Sequence, residues 1–288
     1  MKILRDKNSG VELITNSILS NKPFSLTRIG LGEIRWIDWY IKGGINSNCD
    51  GRSHASTLAN LIENEGVYGN CSEEFFTEFT NGLISSDISV FWFNKDGSNL
   101  MYQEQMNIFN KYSPDSTKID IDSISCFENE NYWTKSLTGK KVLVIYPFVE
   151  TIKSQYKKRE LIWTGDHAMK LPEFELKTYK PVWSMAGDRP HSSWFESLNH
   201  MKKEISEIDF DVALLGCSHY GIPLCNFIKT ELNKSAIYLG GETQLIFGIK
   251  GKRWDQWSIV NRHYNEHWVR SFDDVPNGYN LLDGGSYW

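Results

Sequence analysis

At 288 residues the chain is longer than one ordinary domain, which predicts either one large α/β domain or two packed halves. Hydrophobic residues at 40%, charged residues at 23% and a mean hydropathy of -0.42 exclude a membrane-resident chain, and no window approaches the roughly 20 apolar residues of a span. A net charge of -5, a pI near 5.8 and the absence of a Lys/Arg run longer than a helix face give no electrostatic footprint for nucleic acid or anionic lipid.

The opening Met1-Lys2-Ile3-Leu4-Arg5-Asp6-Lys7 sets charge where a signal peptide needs an apolar core, so the expected location is cytoplasmic. Cys49, Cys71, Cys126, Cys217 and Cys225 make an odd count without a CxxC pair, which predicts reduced thiols. Gly10 to Ile14 reads as a first helical turn and Phe24 to Ile29 as a short strand that stops at Gly30-Leu31-Gly32. Glu33 to Tyr40 resumes with Ile34, Ile37 and Tyr40 at helical spacing. Ser56 to Leu61 and Ser72 to Leu83 read as helices, the second with Glu73 and Glu74 in its first turn, and Ile88 to Phe93 as a strand. A change of pattern near residue 138 divides the chain into halves 1–138 and 139–288, packed as one unit.

In the second half, Lys141 to Phe148 is a short apolar run of the kind buried in a parallel sheet. Ser154 to Trp163 is predicted helical, Glu173 to Tyr179 a half-exposed strand, and Trp194 to Ile205 a helix. Then Asp211 to Gly216, a helix started by Pro223, and Ser235 to Gly241 compose a βαβ unit. The fold expected is therefore α/β, a Rossmann-like mainly parallel sheet with flanking helices.

Three glycine turns stand where polar ligands dock in such folds. Gly216-Cys217-Ser218-His219-Tyr220-Gly221 lies between a strand and a helix, where helix N-terminal amides favour phosphate or carboxylate. The spacing is not GxGxxG, and the bland reading is a tight βα turn in which His219 is simply a hydrogen-bonded loop residue. Gly240-Gly241-Glu242-Thr243-Gln244 runs on to Lys250, Lys252, Arg253 and Trp254, which offer positive charge for a diphosphate and a ring for stacking; the alternative is a surface turn with solvated lysines. Arg28-Ile29-Gly30-Leu31-Gly32-Glu33 flanks a turn with an arginine and a carboxylate, suited to phosphate or to general-base chemistry, or merely to fixing the turn.

Arg28-Ile29-Gly30-Leu31-Gly32-Glu33 resembles the RxGxxE signature of GT-D-type glycosyltransferases, and the second half resembles polysaccharide-locus proteins of that group at Asp211 to Cys217, Tyr220 to Leu224, Leu239 to Trp254, Tyr264 to Arg270 and Gly284 to Trp288. The resemblance implies a GT-D-like fold that moves a sugar from a nucleotide-sugar donor to a glycan acceptor. It makes Arg28 and Glu33 the signature pair, with Glu33 as metal ligand or acceptor-activating base and Asp38 as a weaker second carboxylate. Gly30, Gly216, His219, Tyr220, Gly221, Gly240, Gly241, Gln244, Lys250, Arg253 and Trp254 are then the donor-binding candidates, with Lys252 and Arg159 as further phosphate contacts and Phe247 as a further stacking face. The family carries Asp where this chain has Leu31, and leucine cannot coordinate Mg²⁺ or Mn²⁺, which puts the metal in doubt.

Two other classes stay open at this point: another Rossmann-type nucleotide-using enzyme, such as a methyltransferase or sugar-modifying enzyme, and a non-catalytic carbohydrate-binding protein. The aromatic ending Tyr287-Trp288 either folds back on the core or forms a subunit contact in a homo-oligomer.

Overall fold

The computed structural model describes residues 2–43, 60–64, 66–69, 72–91, 100–125, 131–164, 169–185, 187–271, 275, 278–281 and 283–288. Eight parallel strands form one sheet: β1 (Lys2–Leu4), β2 (Ser25–Arg28), β3 (Ile88–Phe91), β4 (Thr117–Asp120), β5 (Lys141–Ile145), β6 (Glu175–Tyr179), β7 (Val212–Leu215) and β8 (Ser235–Tyr238). Their spatial order is β1-β4-β3-β2-β8-β7-β5-β6, so each half of the chain gives four neighbouring strands and the halves meet where β2 pairs with β8. The protein is α/β and Rossmann-like, and the sheet is parallel throughout.

Because successive strand residues point to opposite faces, the central strands supply two cores. One face carries Leu26, Ile88, Val90, Val142, Val144, Leu214 and Ile237. It is covered by α1 (Lys7–Leu19), α5 (Val149–Tyr156) and α9 (Glu242–Ile246), joined by Trp254, Trp268 and Trp288. The other face carries Leu143, Ile145, Ala213, Leu215, Ala236 and Tyr238. It is covered by α2 (Leu31–Ile41), α3 (Ser72–Ile84), α4 (Leu100–Tyr112), α7 (Trp194–Ser206) and α8 (Gly221–Thr230). Helices α3 and α8 pack closely at Gly82, where an added Cβ would stand 2.5 Å from Ile222 Cγ2.

Most predicted elements form with shifted ends. The first helix starts earlier than the apolar spacing indicates, because Asp6 caps it by accepting from the Ser9 N–H at 2.8 Å. Helix α8 opens at Gly221, which leaves Pro223 inside its first turn, where no intrahelical donor is needed. The helix expected at Ser154 to Trp163 is two pieces, α5 and α6 (Arg159–Ile162), separated by an exposed Lys157-Lys158 turn. Gln155 Nε2 ends α5 against the chain by donating to the His267 carbonyl at 2.8 Å. Strands β1 and β4 and helix α4 carry too few patterned residues to be foreseen, and β1 is only three residues long. Residues 56–59 of the helix expected at Ser56 to Leu61 and Trp92-Phe93 of the strand expected at Ile88 to Phe93 lie outside the described residues, as do Cys49, Cys71 and Cys126; Asn60 and Leu61 belong to a π-helical turn, Asn60–Asn64. Cys217 and Cys225 are buried free thiols.

The aromatic ending folds back on the core. The Trp288 ring is 5% exposed and meets Phe148 edge-on at 5.4 Å, while its carbonyl accepts from the Lys252 N–H at 3.1 Å and from Arg270 Nη1 at 3.2 Å. Trp288→Ala should therefore lower unfolding stability by about 3 kcal/mol or more, measured by urea denaturation. A loss below about 1 kcal/mol would show that this ring is not part of the core.

Candidate functional site

The loops leaving β2 and β8 at their carboxyl ends pass to opposite faces of the sheet, since α2 packs in one core and α9 in the other. In an open parallel sheet that divergence makes a crevice at the strand ends. Arg28 closes β2 at this point, and its Nη1 donates to the Leu239 carbonyl at 2.7 Å, tying the first half of the chain to the loop after β8. Glu33 stands in the first turn of α2, whose cap is Gly30. Its carboxylate accepts from the Gly30 backbone N–H, the reach-back half of a capping box. Burial pushes the Glu33 carboxyl above the usual carboxylate range, against the opposing pull of its own and the Gly30 N–H groups and of Arg28.

A second carboxylate completes the group. Glu242, at the start of α9, accepts from Ser125 Oγ at 3.0 Å, and burial pushes its carboxyl up to about 7 against the opposing charge of Arg28. The charge of Arg28 thus acts on two carboxylates contributed by opposite halves of the chain. Since Glu242 holds its proton more tightly folded than at its ordinary value of 4.5, the native state loses stability as pH rises from about 4.5 to about 7. Glu242→Gln should flatten that fall, gaining at most about 3 kcal/mol over the parent at pH 8 and nothing at pH 4, as read from denaturation across pH. A variant tracking the parent at both pH values would place Glu242 in ordinary solvent.

The glycines at the strand ends answer to close packing. An added Cβ would fall 2.4 Å from Glu33 Oε2 at Gly30, 2.4 Å from the Gly240 carbonyl at Gly216, and 2.9 Å from Arg28 Nη1 at Gly240, which also has a φ of +61°. At Gly241 it would meet Tyr287 Cε1 at 2.5 Å. The Tyr287 hydroxyl accepts from Arg253 Nη1 at 2.9 Å, and the Arg253 guanidinium lies over that ring at 4.5 Å. The Gly240-Gly241 turn therefore has Arg28 on one side and the Arg253–Tyr287 pair on the other. Two motifs more than 200 residues apart meet here.

The remaining candidates separate into edge and core. Gly30, Gly240, Gly241, Lys250 and Arg253 are partly exposed, with Lys250 Nζ over the Tyr264 ring at 4.9 Å. Buried Gly216 and Gly221 serve the turn, an added Cβ at Gly221 meeting the Tyr238 ring at 2.4 Å. His219 is 1% exposed and lies edge-on to Trp36 at 5.7 Å. Tyr220 stacks on Trp194 at 5.2 Å and shares a 2.7 Å hydroxyl contact with Ser184, so its ring belongs to the core. Fully buried Gln244 accepts from the Tyr146 hydroxyl at 2.5 Å and donates to the Ile249 and Tyr287 carbonyls, bracing the tail. Trp254 and Phe247 are likewise interior. Arg159 sits 3.5 Å from both Glu160 and Glu173.

Asp38 also departs from expectation. Five residues after Glu33 it is turned about 140° around the helix, and it pairs with Lys42 at 2.5 Å beside Glu104. Sequence reasoning passed over Glu242, Ser125 and Tyr287; the available signal for Glu242 was an acid directly after a Gly-Gly strand end. Among the described residues no group of three or more His, Cys, Asp or Glu is placed to hold a metal ion, and no helix is long and apolar enough to cross a membrane. Compared with protein-family models, curated proteins and solved structures, the chain has no match in any of the three, so what the crevice can do rests on its own chemistry.

Proposed function

We propose that the chain is a nucleotide-sugar-dependent glycosyltransferase whose reaction takes place in the crevice between the ends of β2 and β8. The observation that carries this reading is the set of Arg28, Glu33 and Glu242 at the ends of β2 and β8, in which two carboxyls with raised proton affinity lie within the influence of the Arg28 charge and Arg28 and Glu33 flank the strand-end glycines. Raised affinity suits a carboxylate that takes a proton near neutral pH. In the reaction Glu33 accepts the proton of the acceptor hydroxyl as that oxygen bonds to the anomeric carbon of the donor. The bond from that carbon to the phosphate oxygen breaks, and its electron pair leaves with the nucleoside diphosphate. Arg253, held against Tyr287 beside the same turn, meets the charge that develops there.

The donor set does not fit a divalent cation. Position 31 offers no oxygen, and the neighbours of the Glu33 carboxylate are an arginine and backbone N–H groups. No step of this mechanism runs through a metal, and Arg28 provides the positive charge beside the carboxylates.

Calorimetry and thermal shift of the purified chain against UDP, GDP, CMP and dTDP sugars, with and without Mn²⁺, test the reading. A donor present at 100 times its dissociation constant should stabilise the fold by about 2.7 kcal/mol. The response should be selective for one nucleotide and indifferent to Mn²⁺. Silence towards every donor would remove the reading in favour of a carbohydrate-binding protein.

A further inference from the structure

The linear sequence shows no basic run long enough to bind a polyanion, but the fold builds a basic, aromatic-studded patch from two segments distant in sequence. Residues 153–163 carry four lysines and arginines against one carboxylate, and residues 250–270 carry five against two. Together they are six units positive in a chain that is five units negative. The segments are packed together. Asn265 Nδ2 donates to the Leu161 and Ile162 carbonyls at 3.1 Å each, Trp268 Nε1 to the Ile162 carbonyl at 2.8 Å, and the Trp163 and His263 rings lie 5.3 Å apart.

Large apolar side chains are exposed on the same segments. Among the described residues the exposed large hydrophobics are Leu19, Ile84, Leu161, Trp257 and Ile259, and the last three lie here, with Trp257 at 50%, Leu161 at 47% and Ile259 at 37%. Lys157, Lys158, Lys252 and Arg262 are exposed on the same two segments. The acids cancel only part of the excess: Asp255 is taken by Arg270 at 2.5 Å, Arg159 lies 3.5 Å from both Glu160 and Glu173, Lys153 pairs with Glu150 at 2.7 Å, and Glu266 stands beside His267 at 3.6 Å.

We propose that this surface docks the protein on an anionic membrane, the lysines and Arg262 meeting lipid headgroups while Trp257, Ile259 and Leu161 enter the interfacial layer. Each lateral component is weak alone, and their combination is what holds a peripheral protein on a bilayer. The apolar members favour a lipid surface over a nucleic acid, which would need basic groups in a groove and bases to stack upon. This proposal stands apart from the glycosyl-transfer reading, although Lys252 and Arg253 place the patch next to the crevice.

Cosedimentation of the full chain with vesicles of 30% phosphatidylglycerol in phosphatidylcholine, against phosphatidylcholine alone, is the direct test. Binding should need the anionic lipid and fall at least about 10-fold in 0.5 M NaCl, as surface electrostatics require. The variant K157E/K158E/R262E should lose binding at least about 10-fold, and W257S/I259S should lose most of it with the charges intact, both keeping the parent melting temperature and far-UV spectrum. Equal binding to neutral vesicles, no binding at all, or indifference to both variants would overturn the proposal. So would retention of a single-stranded oligonucleotide by a chain that ignores the vesicles, which would assign the charge to a nucleic acid.

Discussion

Glu33→Gln should lower the turnover of sugar transfer by at least about 100-fold while leaving donor affinity and fold nearly unchanged, in line with the loss of a general base. The amide separates two roles that the carboxylate combines. A glutamine oxygen still accepts the Gly30 N–H and so preserves the start of α2, but it cannot take the acceptor proton. Burial of the Glu33 carboxylate also opposes its ionised form, so the neutral amide should be as stable as the parent at pH 8 or slightly more so. Glu33→Ala loses both functions and should melt lower, by the ~1 kcal/mol of a lost cap. The measurement is kcat from released nucleotide diphosphate, with donor Kd by calorimetry. A Glu33→Gln enzyme within a few-fold of the parent kcat would reduce Glu33 to a helix cap.

Arg28→Met should lower stability substantially and abolish activity with it. The arginine binds the Leu239 carbonyl and attracts both Glu33 and Glu242, so its loss removes the compensating positive charge from two partly buried carboxylates. Uncompensated buried charge costs about 3 kcal/mol. Both carboxyls would rise further, and because a raised carboxyl binds its proton more tightly in the native state, the penalty should grow as pH rises. Denaturation at pH 8 should therefore show the full loss, and at pH 5 a smaller one that retains the missing carbonyl hydrogen bond. Arg28→Lys should recover part of the stability through its charge, but not the forked geometry. A pH-independent loss for Arg28→Met would mean that the guanidinium acts only through Leu239.

The strands and helices that could be foreseen are those whose chemistry is local. Val142 to Ile145 and Val212 to Leu215 are uninterrupted apolar runs because both faces of a parallel sheet are covered, and they appear as central strands. The glycine turn after β2 and its helix were legible in the same way, as was α3 with Glu73 and Glu74 in its first turn. Short elements such as β1 gain their stability from pairing with a distant strand, so no local pattern announces them.

The site was legible only in its separate parts. Arg28, Glu33 and the Gly240-Gly241 turn stand out by residue type and spacing, whereas their meeting depends on β2 pairing with β8 across the middle of the sheet. His219, Tyr220 and Gln244 have the right chemistry for a ligand, yet the surrounding packing takes them inward, and burial is a property of neighbours that spacing does not encode. The raised affinity of Glu242 for its proton arises likewise from desolvation by the fold. By itself, then, the order of residues determined the α/β class, the main central strands and the glycine turns, because each follows from backbone preference and apolar periodicity over a few residues. Only the tertiary structure decided which carboxylates share an arginine, which aromatics are core and which basic segments adjoin, because burial and Coulomb interactions depend on distance in space.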